Sequence, residues 1–286
     1  MSGRAVASNL QQRVLSGVVL VAVALALTFA GGIWYRLLAV ATSGAVLYEW
    51  LAMSAPSQTS SGAPAVAPSH RWLVIGLLAI LLILVLAGRP VSFLLAALAG
   101  AVFIAAAHAT RVRANFWPTA GLAYAGLLGI ALAALRGCDA AGLYATLFLF
   151  AVVWATDILA YFVGRALGGP KLAPSISPGK TWSGAIGGTV AALVAGFAVA
   201  TAFGSQLAPV GLGLLILVLS VVSQAGDLFE SSIKRRFGVK DSSQLIPGHG
   251  GVMDRVDGLA TAAFALFAIG ALLAGPDAPA GAFFGQ

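Results

Sequence analysis

The chain has 286 residues, of which 60% are hydrophobic and only 9% are charged, and its formal net charge is +7. This composition lies far from that of soluble domains and predicts an integral membrane protein. The basic residues are spread among loops and lack interleaved aromatic residues, which excludes nucleic acid as a partner. The single cysteine and the absence of a Cys or His cluster in the sequence exclude soft-metal sites.

Nine apolar runs approach the roughly 20 residues that a helix needs to cross a bilayer. We therefore predict an all-α, polytopic integral membrane protein with about nine transmembrane helices, forming a single transmembrane domain over residues 1–286. The run LLAILLILVLAG does not alternate apolar and polar residues, which argues against a β-barrel. The predicted spans are Val14–Ala30, Trp34–Met53, Trp72–Gly88, Val91–His108, Pro118–Leu135, Leu143–Val163, Trp182–Phe203, Pro209–Ile233 and Val256–Ala274.

The first span resembles a signal peptide, but no clear small-residue cleavage site follows, and we expect an uncleaved helix. Only Gly31 and Gly32 separate it from the second span, so the two runs form either two spans or one broken hairpin. Residues 54–70, SAPSQTSSGAPAVAPSH, are too poor in large apolar side chains to fold alone, and we predict a flexible cytoplasmic linker.

The basic residues predict the orientation, because Lys and Arg accumulate in cytoplasmic loops. With the N-terminus inside and the C-terminus outside, only three of the 16 basic residues fall outside, namely Arg36, Arg89 and Arg136. The inside set is Arg4, Arg13, Arg71, Arg111, Arg113, Arg165, Lys171, Lys180, Lys234, Arg235, Arg236, Lys240 and Arg255. Residues 164–181 and 234–255 are the predicted cytoplasmic catalytic loops.

Acidic residues near the ends of the later spans need a partner, because a charge inside the bilayer is costly. Asp157, Tyr161 and Arg165 recur every four residues and predict one helical stripe. That stripe is either a packing feature or part of a site.

A second polar stripe is predicted on the eighth span. Asp227, Glu230, Ser231 and Lys234 share one helical face. An interfacial salt bridge explains Glu230 and Lys234 as well as a function does, whereas the deeper Asp227 favours a function.

The stretch GHGGVMDRVDG, Gly248–Gly258, places Asp254 and Asp257 three residues apart at the start of the last span. Two close carboxylates need a cation between them, and their hard oxygen atoms suit Mg²⁺ shared with substrate phosphates. The neighbouring glycines allow a close backbone approach to a ligand, and His249 is either a structural hydrogen-bonding residue or a general acid.

The segment SSIKRRFGVKDSSQLIPGHGGVMDRVD, Ser231–Asp257, resembles the long signature of the phosphatidate cytidylyltransferases, also called CDP-diacylglycerol synthases. The stretches DILAYFVGRALGGPKLAPSISPGKTW and GDLFESSIKR agree with this resemblance, which covers roughly the C-terminal half. Ser183 departs from the family, which usually has Glu after SP-x-KTW. Any role of that acid is therefore either lost or supplied elsewhere, with Glu230 as a candidate.

The resemblance implies transfer of CMP from CTP to phosphatidic acid, giving CDP-diacylglycerol and pyrophosphate for phospholipid biosynthesis. It further implies Mg²⁺ as cofactor, with or without a second, monovalent cation. The expected location is a bacterial-type inner membrane, in contact with membrane lipids, with the active site facing the cytoplasm and a homodimer as the assembly.

Spacing and resemblance together give the predicted site. The predicted catalytic residues are Asp227, Lys234, Arg235, Lys240, Asp241, His249, Asp254, Arg255 and Asp257. The predicted substrate-binding residues are Asp157, Lys171, Ser177, Lys180, Thr181, Ser231, Gly250 and Gly251. Asp227, Asp254 and Asp257 are the predicted metal ligands.

Three alternatives remain open at this stage. An ion channel or transporter would distribute polar residues across the bilayer, whereas here they crowd one side. A polyprenol kinase or a cytidylyltransferase for another lipid would also use CTP. Gly184 and Gly188, a small-xxx-small pair, form either an internal helix contact or a dimer seam.

Overall fold

Helices make up most of the chain in the computed structural model. The structure describes residues 2–55, 67–246, 248 and 250–285, and side chains from residue 15 onward. Its helices are α1 Ser2–Ala30, α2 Gly32–Met53, α3 Pro68–Leu86, α4 Val91–Arg111, α5 Trp117–Arg136, α6 Ala140–Leu167, α7 Trp182–Ala202, α8 Pro209–Arg236 and α9 Met253–Ala274. A short 3₁₀ helix, Pro279–Ala282, follows α9.

Seven of these helices, α3 to α9, are long and apolar enough to cross a membrane. Large apolar side chains such as Phe103, Val194 and Leu272 are exposed on them, as expected for surfaces that face lipid. The prediction of a helical, multi-pass membrane protein is confirmed at this level. In α1 the described apolar part, Leu15–Ala30, is shorter, and the total of nine spans stays a prediction.

Most helix boundaries follow from local chemistry. Gly31 separates α1 from α2 and has a φ of 62°, a conformation that residues other than glycine rarely adopt. Pro68 and Pro209 begin α3 and α8, where the missing N–H of proline leaves no helical hydrogen bond unmade. Of the linker predicted at residues 54–70, residues 56–66 lie outside the described part, and Pro68–His70 belong to α3.

Two short strands lie inside the segment predicted as a catalytic loop at residues 164–181. Strands β1, Lys171–Ala173, and β2, Ser177–Thr181, pair antiparallel, with Lys171 opposite Thr181. The all-α prediction missed this hairpin because SPGKT contains Pro and Gly, which are depleted in strands. The other catalytic loop, predicted at residues 234–255, is shorter than predicted. Helix α8 continues to Arg236 and α9 begins at Met253, which leaves an α8–α9 loop at residues 237–252.

The chain divides into two compact units. Unit 1 contains Met1–Ala133 and Asp241–Arg255. Its helices α2 and α5 are joined by a hydrogen bond from Ser43 Oγ to the Ala125 carbonyl oxygen, at 2.6 Å. Trp50 reinforces the same contact, because its ring stacks on Tyr124 and its Nε1 donates to the Trp117 carbonyl.

Unit 2 contains Ala134–Lys240 and Val256–Gln286. Helix α7 packs on α6 through a stripe of small residues, and a Cβ atom on Gly188 would stand 2.5 Å from the Thr156 carbonyl oxygen. A Cβ atom on Gly184 would stand 2.6 Å from the Ala160 carbonyl oxygen. The small-xxx-small pair therefore makes an internal helix contact.

Candidate active site

The β1–β2 hairpin and the start of α7 place basic and hydroxyl side chains together in unit 2. Thr181 caps α7, since its Oγ1 accepts a hydrogen bond from the Gly184 N–H at 3.1 Å. Trp182 N–H also donates to the Pro170 carbonyl at 3.1 Å, which closes the hairpin against the helix. The hairpin is thereby fixed at both ends, and its strand β2 supplies Ser177 and Lys180.

A cavity of about 700 Å³ in unit 2 is bounded by the hairpin, α6, α7 and α8. The wall includes five predicted substrate-binding residues, Asp157, Lys171, Ser177, Lys180 and Thr181, together with Asp227. The stripe predicted on α6 is confirmed, because Asp157, Tyr161 and Arg165 all line this cavity, and Arg165 donates to the Tyr161 hydroxyl at 2.9 Å.

Lys180 and Asp227 form an ion pair within this wall. Both side chains keep about a quarter of their surface exposed, so the pair remains accessible from the cavity. Ser231, one helical turn after Asp227, places its Oγ 3.4 Å from the same carboxylate. A phosphate-bearing ligand and its metal could separate this pair, with the phosphate binding to Lys180 and the metal to Asp227.

The close approach of α8 and α9 places Asp257 near Asp227. A Cβ atom on Gly226 would stand 2.0 Å from Thr261 Oγ1, and one on Gly258 would stand 2.5 Å from Ser223 Oγ. Because each glycine adjoins one of the two aspartates, this contact brings the carboxylates together. Asp227 acts electrostatically on both Asp157 and Asp257, so three acids share this part of unit 2.

The predicted catalytic residues Lys234 and Arg235 contact other protein groups and are not part of the cavity wall. Lys234 pairs with the fully buried Glu230 at 2.9 Å, which is the salt bridge that the sequence left open. Arg235 is exposed, and its guanidinium donates to the carbonyl oxygens of Ile176 and Val239 at 3.4 and 3.3 Å. It therefore ties the hairpin turn to the end of α8. Lys240 is exposed.

In unit 1, Asp254 organises the end of the α8–α9 loop. Its Oδ2 accepts from the Ser242 N–H at 3.0 Å, from Ser242 Oγ at 3.0 Å and from the Gly251 N–H at 2.8 Å. Gly250 has a φ of 83°, and a Cβ atom there would stand 2.7 Å from Asp254 Oδ2. The predicted glycines therefore serve the fold of the loop around this carboxylate.

Three further predicted residues lie in or beside this loop. Asp241 and Arg255 are exposed in unit 1. His249, predicted to be either a structural hydrogen-bonding residue or a general acid, lies outside the described residues.

The sequence reasoning missed Glu49, which is fully buried in α2. Its carboxylate accepts hydrogen bonds from the Val252 and Met253 N–H groups at 2.8 and 2.7 Å. Ser242 Oγ and Ser243 Oγ donate to it as well, at 3.0 and 2.7 Å. An acid within the predicted second span was the available signal, because intramembrane acids are rare and usually functional.

Comparison with known proteins assigns the family. The sequence profile of the cytidylyltransferase family matches residues 11–273. A phosphatidate cytidylyltransferase of Brucella suis biovar 1 is 48% identical over 280 residues, which cover 97% of this chain and 99% of that protein. A phosphatidate cytidylyltransferase of Haemophilus influenzae is 50% identical over 125 residues, 42% of this chain and 43% of that protein. This chain belongs to the cytidylyltransferase family.

The acids of this cytidylyltransferase fit a hard divalent ion. Mg²⁺ commonly binds through one or two protein carboxylates and takes its other ligands from water and substrate phosphates. Among the residues that the structure describes, no three His, Cys, Asp or Glu side chains converge into a complete metal cage. Asp227 and Asp257 interact electrostatically, with Asp157 nearby, and are the two carboxylates of unit 2 that could offer oxygen ligands to such an ion.

Proposed function

We propose that this cytidylyltransferase is a CTP:phosphatidate cytidylyltransferase, which makes CDP-diacylglycerol and pyrophosphate from CTP and phosphatidic acid. The observation that carries the proposal is the unit 2 cavity, where Lys180 and Asp227 pair beside further acids and hydroxyl groups. The near full-length similarity to the Brucella suis enzyme supports the choice of both substrates.

The reaction forms one phosphorus–oxygen bond and breaks another. A phosphate oxygen of phosphatidic acid attacks the α-phosphorus of CTP, and the bond to the β-phosphate breaks as pyrophosphate leaves. The attacking oxygen already belongs to an anion and needs little deprotonation. The main barrier is the approach of two negatively charged groups, so catalysis depends on positioning and on positive charge.

The cavity residues supply both requirements. Lys180 and Lys171 bring positive charge to the phosphates, while Ser177 and Thr181 offer hydroxyl groups from the same hairpin. Lys234, Arg235, Lys240 and Arg255 remain proposed phosphate-neutralising residues on the basis of the family signature. His249 and Asp241 remain proposed members of the catalytic loop on the same basis.

The proposed cofactor is Mg²⁺, held by Asp227 and Asp257 in unit 2. Asp254 stays a predicted metal ligand on the basis of sequence spacing alone. The ion would neutralise the triphosphate and stabilise the departing pyrophosphate. The protein side chains orient the phosphates, and Lys180 exchanges its carboxylate partner for a phosphate oxygen. A second, monovalent cation is compatible with the same acids.

The surface beside the cavity suits a lipid substrate. Tyr161 lines the cavity and is 59% exposed, and its α6 neighbours Ile158 and Phe162 are 52% and 60% exposed. Acyl chains can therefore stay against an apolar helix face while the phosphate enters a polar cavity. We propose that this end of unit 2 faces the cytoplasm in a bacterial-type inner membrane, because most basic residues lie on that side of the predicted topology.

The test is CMP transfer by the purified protein in lipid nanodiscs. A panel of lipid phosphates and lipid alcohols is incubated with CTP labelled either in cytidine or in the γ-phosphate. Cytidine label entering phosphatidic acid, with loss of activity in EDTA and recovery with Mg²⁺, is expected. Label transferred only from the γ-phosphate would identify a kinase, and solute transport without CTP turnover would identify a transporter.

The assembly is tested separately. We propose a homodimer, as the family resemblance implies. Native mass spectrometry of the protein released from nanodiscs is expected to give twice the mass of the chain, and a single-chain mass at all concentrations would contradict the proposal.

A further inference from the structure

A buried carboxylate on α2 gathers the end of the α8–α9 loop in unit 1. Each oxygen of Glu49 accepts one hydroxyl and one backbone N–H. Oε1 accepts from Ser243 Oγ and Val252 N–H, at 2.7 and 2.8 Å. Oε2 accepts from Ser242 Oγ and Met253 N–H, at 3.0 and 2.7 Å. All four donors belong to the segment 242–253, so one side chain fixes both ends of this part of the loop.

The same segment fixes Asp254. Ser242 Oγ lies 3.0 Å from Glu49 Oε2 and 3.0 Å from Asp254 Oδ2, so the two carboxylates share the single proton of this hydroxyl. Gly251 keeps this arrangement compact, because a Cβ atom there would stand 1.9 Å from Ser242 Oγ and 2.7 Å from the Glu49 oxygens. The Asp254 carboxylate is therefore oriented by Ser242, which bonds directly to Glu49, and by Gly251, which adjoins the Val252 N–H that Glu49 accepts.

The chemistry of Glu49 suits anchoring better than catalysis. A fully buried carboxylate is stable only when its oxygens accept hydrogen bonds, and here the loop provides them. The loop depends on Glu49 in turn. The Val252 N–H lies just before α9 and the Met253 N–H begins it, and N–H groups at a helix start have no acceptor within the helix. Loss of Glu49 would leave the Val252 and Met253 N–H groups without these acceptors.

We propose that Glu49 is a positioning residue for the transfer reaction, which holds the α8–α9 loop in the register that aims Asp254. The proposal rests on the proposed function only for its effect on turnover, since the anchoring itself can be measured without substrate. The side chain acts through Ser242 and Gly251 rather than on the substrate.

The test compares Glu49→Gln with Ser43→Ala. Gln keeps the shape of Glu but replaces one acceptor oxygen with an NH₂ group, which must then face a backbone N–H. Ser43, on the same helix, is buried and bonds to Ala125, so its variant reports loss of a buried hydrogen bond away from the loop. Hydrogen exchange, thermal unfolding, and kcat and KM for CTP and phosphatidic acid are measured for each protein in nanodiscs.

We expect Glu49→Gln to speed amide exchange selectively in residues 241–254. Its kcat should fall roughly 10- to 100-fold, the usual effect of removing a group that orients a ligand of the reacting centre, while KM for phosphatidic acid stays unchanged. Ser43→Ala should lose thermal stability without either change. Ser242→Ala removes only the shared hydroxyl and should give the same selective pattern more weakly, which covers the case of a Glu49 variant that fails to fold.

Two results would overturn the proposal. One is wild-type exchange in residues 241–254 for both the Glu49→Gln and Ser242→Ala proteins. The other is a parallel loss of stability and kcat in Glu49→Gln and Ser43→Ala, with no selective change in the loop. If the wild-type protein transfers no CMP, the proposed function fails, and the exchange data still decide whether Glu49 anchors the loop.

Discussion

Asp227 is the acid on which the unit 2 site depends most directly, since it pairs with Lys180 and influences both neighbouring aspartates. Asp227→Asn keeps the size of the side chain and removes its charge. At saturating Mg²⁺ we expect kcat/KM to fall roughly 10²- to 10³-fold, the range for removing one preorganised electrostatic group. CMP transfer to phosphatidic acid measures this loss.

Asp139→Asn is the matched control. Asp139 caps the N-terminus of α6, at the end of that helix away from the cavity residues Asp157 and Arg165. It accepts a hydrogen bond from the Gly142 N–H at 2.8 Å, and Asn is an equally good capping residue. Its activity should equal that of the wild type. Equal activity of the two Asn variants would remove Asp227 from the site.

Lys180 offers a complementary test of charge. Lys180→Met keeps the length of the side chain but loses the ammonium group that pairs with Asp227. We expect a loss of about 2 kcal/mol of transition-state stabilisation, roughly 30-fold in kcat/KM for CTP, as for one hydrogen bond to a charged group. Steady-state kinetics with varied CTP provide the measurement.

The control for this prediction is an exposed base in unit 1. Arg111, at the end of α4, is exposed and is not part of the wall of the unit 2 cavity. Arg111→Met should retain wild-type kinetics. A similar loss in both variants would mean that overall charge, rather than the position of Lys180, governs CTP use.

Spacing on a helix correctly predicted that three polar residues of α6 share one face, and the reason is local. Asp157, Tyr161 and Arg165 share a cavity because residues four apart share a helical face. Glu49 could not be assigned in this way, because its partners are about 200 residues away in sequence. The contact of Arg235 was equally unpredictable. Its guanidinium donates to the Ile176 carbonyl in the turn of the β1–β2 hairpin, and the sequence analysis had not predicted that hairpin.

At the scale of elements, the contact between α8 and α9 places Asp227 beside Asp257. Gly226→Ala would put a Cβ atom 2.0 Å from Thr261 Oγ1 and force the helices apart. Overpacking of this kind costs about 1–3 kcal/mol, and a shift of 1 Å at a reacting centre costs about 10²-fold in rate. Thermal unfolding and CMP transfer should therefore both decline.

Gly211 on the same helix provides the comparison. A Cβ atom there meets no heavy atom within 4 Å, so Gly211→Ala should keep activity and stability or slightly raise the latter. If Gly226→Ala behaved like Gly211→Ala, the close helix contact would have no part in the site.

The helices were predictable because each span must be apolar over a length that crosses the bilayer, and an apolar run of that length is visible in the sequence. The β1–β2 hairpin was not predictable, because its residues are poor strand formers. Its stability comes from the pairing between KLA and SPGKT and from the Thr181 cap. The predicted start of α7 at Trp182 nevertheless agrees with the structure, since the capping Thr directly precedes an apolar run.

At the scale of the whole molecule, the predicted orientation can be tested with the native cysteine. Cys138 is the single cysteine, is exposed, and lies in the predicted outside connection between α5 and α6. An impermeant maleimide added to intact spheroplasts should label it. In a Cys138→Ser background, the Gly179→Cys protein should be labelled only after the membrane is opened.

The reverse labelling pattern would invert the topology and place the hairpin outside. Gly179 is a suitable reporter because it is exposed in strand β2 of the hairpin and a Cβ atom there meets nothing within 4 Å. Circular dichroism of the variant is the check that this backbone position tolerates the change.

The bonds between Glu49 and the α8–α9 loop also bear on how the protein is made, because they join residues 193 to 204 positions apart. At about 5–20 residues per second, translation leaves roughly 10 to 40 s between the emergence of α2 and that of its partners. During that interval the nascent second helix holds an acid whose hydrogen-bond donors have not yet been synthesised. A truncated product that ends before residue 242 would keep this buried carboxylate without any of the four donors.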